Sequence, residues 1–109
     1  MIPLRTILVA TDLGPTGAPV LRSAAALAKA VEADLHVVHV APPWDEAARA
    51  DHESALAEQV KQCLSGLRGE TAPNDAPSDL TVEQQIVYNR PFHGILVHAA
   101  TVDADLIVV

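Results

Sequence analysis

The sequence has a single cysteine, Cys63, and only three aromatic residues, Trp44, Tyr88 and Phe92. A lone thiol excludes an internal disulfide and a thiolate metal cage. So few aromatics leave almost nothing on which bases could stack. Seven basic residues against fourteen acidic ones give a net charge of −7 and no basic patch for a phosphate backbone, so nucleic acid is not an expected partner. No apolar run approaches the length of a membrane span, and MIPLRTILVATD reaches Asp12 too early for a secretory signal. A soluble cytoplasmic protein is the expectation. Neither G-x-x-x-x-G-K-[ST] nor G-x-G-x-x-G occurs.

What is present is aliphatic. Half the residues are hydrophobic, drawn mainly from Ala, Val, Leu and Ile, a palette that suits helices packed closely on a Val-rich sheet. The 109 residues make one domain that buries roughly 65% of its unfolded surface. TILVAT, residues 6 to 11, reads as a buried strand ended by Asp12 and the breakers of LGPTGAP. A helix follows, with Val20, Ala24, Leu27 and Val31 on one face, Leu21 and Ala28 beside them, and Arg22, Lys29 and Glu32 outward. LHVVHVAPP, residues 35 to 43, is a second strand. From Trp44 to about Leu67 the pattern is helical, with Leu56, Val60, Cys63, Leu64 and Leu67 inward and Gly69 as the stop. Residues 69 to 79 read as a polar loop, and LTVEQQIVY, residues 80 to 88, as an edge strand. Pro91 opens a third helix in which Phe92, Ile95, Leu96, Ala99 and Ala100 share a face. Leu106, Ile107, Val108 and Val109 then read as a strand buried on both faces. The order βαβαβαβ predicts an open parallel α/β sheet with right-handed crossovers.

In such sheets ligands bind beyond the carboxyl ends of the strands, where strand order reverses. That singles out Asp12. Its carboxylate suits a ribose hydroxyl or an adenine amine, and it equally suits capping the turn or the helix after it. The five histidines do not form a metal-ligand pattern. His36 and His39 point to opposite faces of a strand, His93 and His98 diverge by about 140° on a helix, and His52 falls on a solvated helix side. Cys63, on an apolar stripe, reads as an inert core thiol.

TILVATDLGPTGAPVLRSAAALAKAVEADLHVVHVAPP, a long helix, and IVYNRPFHGILVHAATVDADLIVV together resemble the universal stress protein family. The strand ending in Asp12, the A-x-x-L-A of Ala24 to Ala28, the strand end at His39 and Val40, R-P-x-x-x-I-L and A-D-L-I-V-V occur in the family's order and spacing. The resemblance implies a Rossmann-like fold of the adenine nucleotide alpha hydrolase type, with five parallel strands ordered 3-2-1-4-5, and a homodimer paired through the last strand. It also implies ATP, with Mg in the intact protein, held between the ends of strands one and four. Asp12 would contact the adenosine, Thr11 and Ala10 would line its floor, and the backbone of Val40 would meet the adenine edge. Val109 stands just before the G-x-x-G, nine residues, G-[ST] that cradles phosphates in the family, so residues 1–109 are expected to be one domain truncated after its fourth strand. Gly14 and Gly17 stand where many members have Ser, and Asn89 where a Gly is common. The expected role is a stress-response regulator that binds adenine nucleotide, with at most slow ATP hydrolysis. The alternative is a dimerising interaction module without nucleotide. An adenylating enzyme of related fold would need an S-G-G-x-D-S type loop, which DLGPTG is not.

Overall fold

The computed structural model describes residues 4–14, 17–68 and 81–109. Its elements are β1 (Thr6–Ala10), α1 (Gly17–Val31), β2 (Asp34–Ala41), a short 3-10 helix (Pro43–Ala48), α2 (Arg49–Arg68), β3 (Val82–Tyr88), α3 (Pro91–Val102) and β4 (Leu106–Val108). The four strands form one parallel sheet in the order β3-β2-β1-β4. Leu8 of β1 lies opposite His36 of β2 on one side and Ile107 of β4 on the other. β1 is thus flanked on both edges, and Ile7, Leu8 and Val9 are fully buried. Each such side chain contributes about 1.5–3 kcal/mol of burial.

Strand alternation assigns the two faces. Ile7, Val9, Leu35, Val37 and Ile86 join Leu21, Ala24, Ala25 and Ala28 of α1 and Leu56, Val60 and Cys63 of α2 in one cluster. The intervening Leu8 and Val38, also buried, face α3. Gly94 lets α3 come close on that side, because a Cβ there would lie 2.7 Å from Val40 Cγ1.

Both described helix C-termini close without glycine. Glu32 and Asp103 take left-handed φ of 58° and 57°, while Ala33 N–H reaches Ala28 O at 2.8 Å and Ala104 N–H reaches Ala99 O at 2.9 Å. Each bond satisfies a carbonyl that the helix end would otherwise leave open.

Several expectations need correction. The buried stripe of α1 centres on Leu21, Ala24, Ala25 and Ala28, with Val20 and Leu27 half-buried and Val31 exposed, because small alanines allow the closest approach to the sheet. The residues from Trp44 begin as a 3-10 helix, and regular α-helix starts only at Arg49. On α3 the side against the sheet is Gly94, Ile95, His98 and Ala99, whereas Phe92, Leu96 and Ala100 are exposed. β4 is an edge strand with Leu106, Ile107 and Val108 half-buried, and Val109 lies beyond it and is 76% exposed. His52 is half-buried and bonded rather than solvated. Asn89, where a Gly is common in the family, accepts the Arg90 N–H on its Oδ1 at 2.8 Å. The side chains of Leu64 and Leu67, the stop at Gly69 and the loop at 69–79 lie outside the described residues.

Candidate functional site

The strand order reverses between β1 and β4, and a cavity of about 410 Å³ opens there beyond the strand ends. Ala10, Thr11 and Asp12 from the end of β1, Val40 from β2 and Val109 after β4 all line it. These are the five residues singled out from the sequence. Gly17 and Val20 of α1, His39 of β2, and Phe92 and Ile95 of α3 complete the lining. The wall is mostly apolar and, among the described residues, contains no Lys or Arg.

A short loop holds Asp12 in place. Its Oδ1 accepts the Gly14 N–H at 2.8 Å, an Asx turn that fulfils the capping reading without removing the carboxylate from the cavity. Leu13 takes a left-handed φ of 67°, and its N–H donates to Thr11 Oγ1 at 3.1 Å. Gly17 leaves the loop the room it uses: a Cβ at that position would run into Thr11 Oγ1 and come within 2.9 Å of Asp12 Oδ1, so a side chain there must displace one of these oxygens.

Thr11, the one buried polar residue among those described, is fixed at every polar atom. Its N–H donates to Val38 O at 3.0 Å, its hydroxyl to Gln59 Oε1, and its carbonyl accepts from His39 Nδ1 at 2.8 Å. A carbonyl can only accept, so Nδ1 carries the hydrogen and Nε2 of the neutral ring is the acceptor. His39 stands edge-on to His52 with ring centroids 5.6 Å apart. His52 in turn pairs with Asp45 at 3.0 Å and lies 3.3 Å from the Tyr88 hydroxyl, and Arg49 sits 4.8 Å above the Tyr88 ring. On the opposite face, His36 lies 3.8 Å from Glu83. Among the described residues no group of three or more His, Cys, Asp or Glu could hold a metal ion.

Sequence reasoning missed Gln59 and weighed His39 only as a metal ligand and as part of a strand-end pattern. Gln59 had a signal. It lies three residues after Leu56 and one before Val60, a polar side chain on an apolar stripe. Cys63, also on that stripe, is buried with Sγ 3.7 Å from the Ala18 carbonyl oxygen, and burial raises its pKa despite the opposing charge of Arg22. The thiol stays protonated and away from the cavity.

An open parallel sheet with a cavity at its switch point defines a class of ligand-binding α/β domains. The chain belongs to the universal stress protein family, whose model matches residues 3–109. The fold is shared with a universal stress protein solved in complex with cAMP, at a TM-score of 0.74 and 20% identity, over 97% of this chain and 71% of that one. It is shared also with protein Rv1636 from Mycobacterium tuberculosis H37Rv, at a TM-score of 0.71 and 20% identity, over 99% and 71%. A universal stress protein from Archaeoglobus fulgidus is 29% identical with a TM-score of 0.66, over 95% and 74%. No curated protein matches the sequence.

Proposed function

We propose that this protein binds an adenine nucleotide through its nucleoside part and acts as a stress-response regulator in the cytoplasm. The observation that carries this reading is the convergence of Ala10, Thr11, Asp12, Val40 and Val109 on one cavity at the switch point. The volume falls within the range of small-molecule sites, and the apolar walls of Val20, Val40, Phe92 and Ile95 suit a purine face. Asp12 supplies a hydrogen-bond acceptor for the ribose hydroxyls, and the Val40 backbone borders the adenine edge. The cAMP complex of a structural neighbour supports the ligand class. ATP is the triphosphate candidate. Magnesium fits this site only as a passenger on the phosphates, since no described cluster of acidic or imidazole groups would hold it.

Titration calorimetry with adenosine and with cAMP tests the reading. Asp12→Asn keeps a turn acceptor for the Gly14 N–H and removes the charge, whereas Asp12→Ala removes both. Each is expected to weaken binding by about 1–3 kcal/mol, the cost of losing a hydrogen bond to a charged group. Absence of binding, or equal affinities in all three proteins, overturns it.

A second reading, a homodimerising interaction module that holds no nucleotide, is favoured by one feature. Phe92 and Leu96 are 81% and 62% exposed on α3, which packs on the sheet mainly over β2. An exposed apolar patch of this kind invites another chain.

A further inference from the structure

Gln59 projects from α2 toward the loop that carries Asp12. The Thr11 hydroxyl donates to its Oε1 and accepts the Leu13 N–H, while its Nε2 donates to Gly14 O at 3.3 Å. The same Gly14 carbonyl accepts the Gly17 N–H at 3.0 Å, so loop and first turn of α1 meet at one oxygen. Between these anchors Leu13 holds a left-handed backbone that a leucine adopts only at a cost, and Asp12 is fastened to Gly14. None of the described residues of α2 lines the cavity. Whatever Gln59 does for the site, it does through Thr11 and Gly14.

We infer that Gln59 is a positioning residue: it clamps residues 11–14 to α2 and thereby sets where the Asp12 carboxylate stands in the cavity. The binding consequence rests on the nucleotide reading; the clamp itself does not. Thr11 and Gly14 flank Asp12 on either side, and Gln59 bonds to both, across 48 and 45 positions of sequence. A carboxylate between two tethered residues has little freedom. Releasing the tethers lets Leu13 leave the left-handed region for a backbone conformation that costs a leucine less. A side chain that merely satisfied its own polar atoms would leave the loop geometry unchanged when replaced.

Gln59→Met substitutes an apolar chain of similar length and keeps a good helix former. Amide hydrogen exchange followed by NMR then reads the clamp without any ligand. The Leu13 and Gly14 amides are expected to exchange about fivefold faster, the equivalent of one lost hydrogen bond, while those of Val9 and Val37 stay unchanged. Gln59→Glu keeps an acceptor for the Thr11 hydroxyl and loses the donor to Gly14, so its acceleration should be smaller; it also decides the matter if Gln59→Met does not fold. Adenosine affinity, measured by calorimetry, should fall in the same order, by about fivefold for Gln59→Met. In a double-mutant cycle with Thr11→Val the two losses should not add. Unchanged exchange at Leu13 and Gly14, or acceleration spread evenly through the core, overturns the clamp. Failure of the unaltered chain to bind adenosine overturns the nucleotide reading alone, and exchange still decides the clamp. Binding that is equal in the unaltered chain and both variants overturns the positioning role.

Discussion

Leu13 and Gly17 show how the candidate site constrains single residues. A leucine in the left-handed region costs about 1–2 kcal/mol, and Leu13 recovers it through its bond to Thr11 Oγ1 and by packing against the core. Gly17 is constrained by space rather than by φ, since its missing Cβ leaves room for the Thr11 hydroxyl and the Asp12 carboxylate. Gly17→Ala would ordinarily favour a helix. Here the added methyl must displace one of those oxygens, and overpacking costs about 1–3 kcal/mol, which outweighs the helix gain. The expected outcome is a destabilised protein, measured by guanidinium unfolding. A Gly17→Ala protein of equal or greater stability would show that the loop yields freely and that Asp12 is not tightly placed.

At the scale of the element, strands were legible and helix faces only partly so. TILVA and DLHVVHVA are β-branched runs bounded by Pro, Gly and Asp, and two of them side by side can only be interior strands of a parallel sheet. VEQQIVY carries polar residues at 83 to 85, which marks the edge where it lies. The α3 sequence is apolar nearly all round, so periodicity cannot choose its inner face; Gly94 chooses it by allowing close approach to Val40, and a glycine has no weight in a hydrophobic pattern. Thr11 and Val40 were named only through the family resemblance; Asp12 was legible as a cavity-lining residue because a strand end at a switch point follows from topology. His39 and Gln59 were not, because their roles depend on which element crosses above them. The inner face of α3 also carries a histidine. Burial, and to a lesser degree the neighbouring His36, holds the His98 pKa below its ordinary value of 6.5. The native protein therefore takes up this proton less readily than the unfolded chain. Its contribution to stability is complete above the unfolded value and is lost as pH falls through the depressed native one. Stability measured by guanidinium unfolding should fall between about pH 7 and about pH 5 more steeply in the unaltered protein than in His98→Gln. Equal slopes would show that α3 does not desolvate the imidazole.

For the whole molecule, charge and cavity chemistry act in the same direction. A net charge of −7 surrounds a cavity whose described lining offers the carboxylate of Asp12 and no Lys or Arg. A triphosphate approaching it is repelled over a distance set by salt, about 10 Å at 0.1 M ionic strength. The nucleoside meets no such penalty, because its contacts are an apolar slot and hydrogen bonds. Residues 1–109 are therefore expected to bind adenosine more tightly than ATP, with ATP no better than about millimolar at low salt, or roughly −4 kcal/mol. Adding salt should narrow the difference by strengthening ATP binding while leaving adenosine nearly unchanged. Calorimetric titrations of both ligands at low and high ionic strength make the comparison within one protein. ATP held at micromolar concentration in low salt, or ATP affinity that falls as salt is raised, would mean that cationic or backbone N–H groups outside this lining receive the phosphates. That outcome would move the electrostatic centre of the site away from the Asp12 loop.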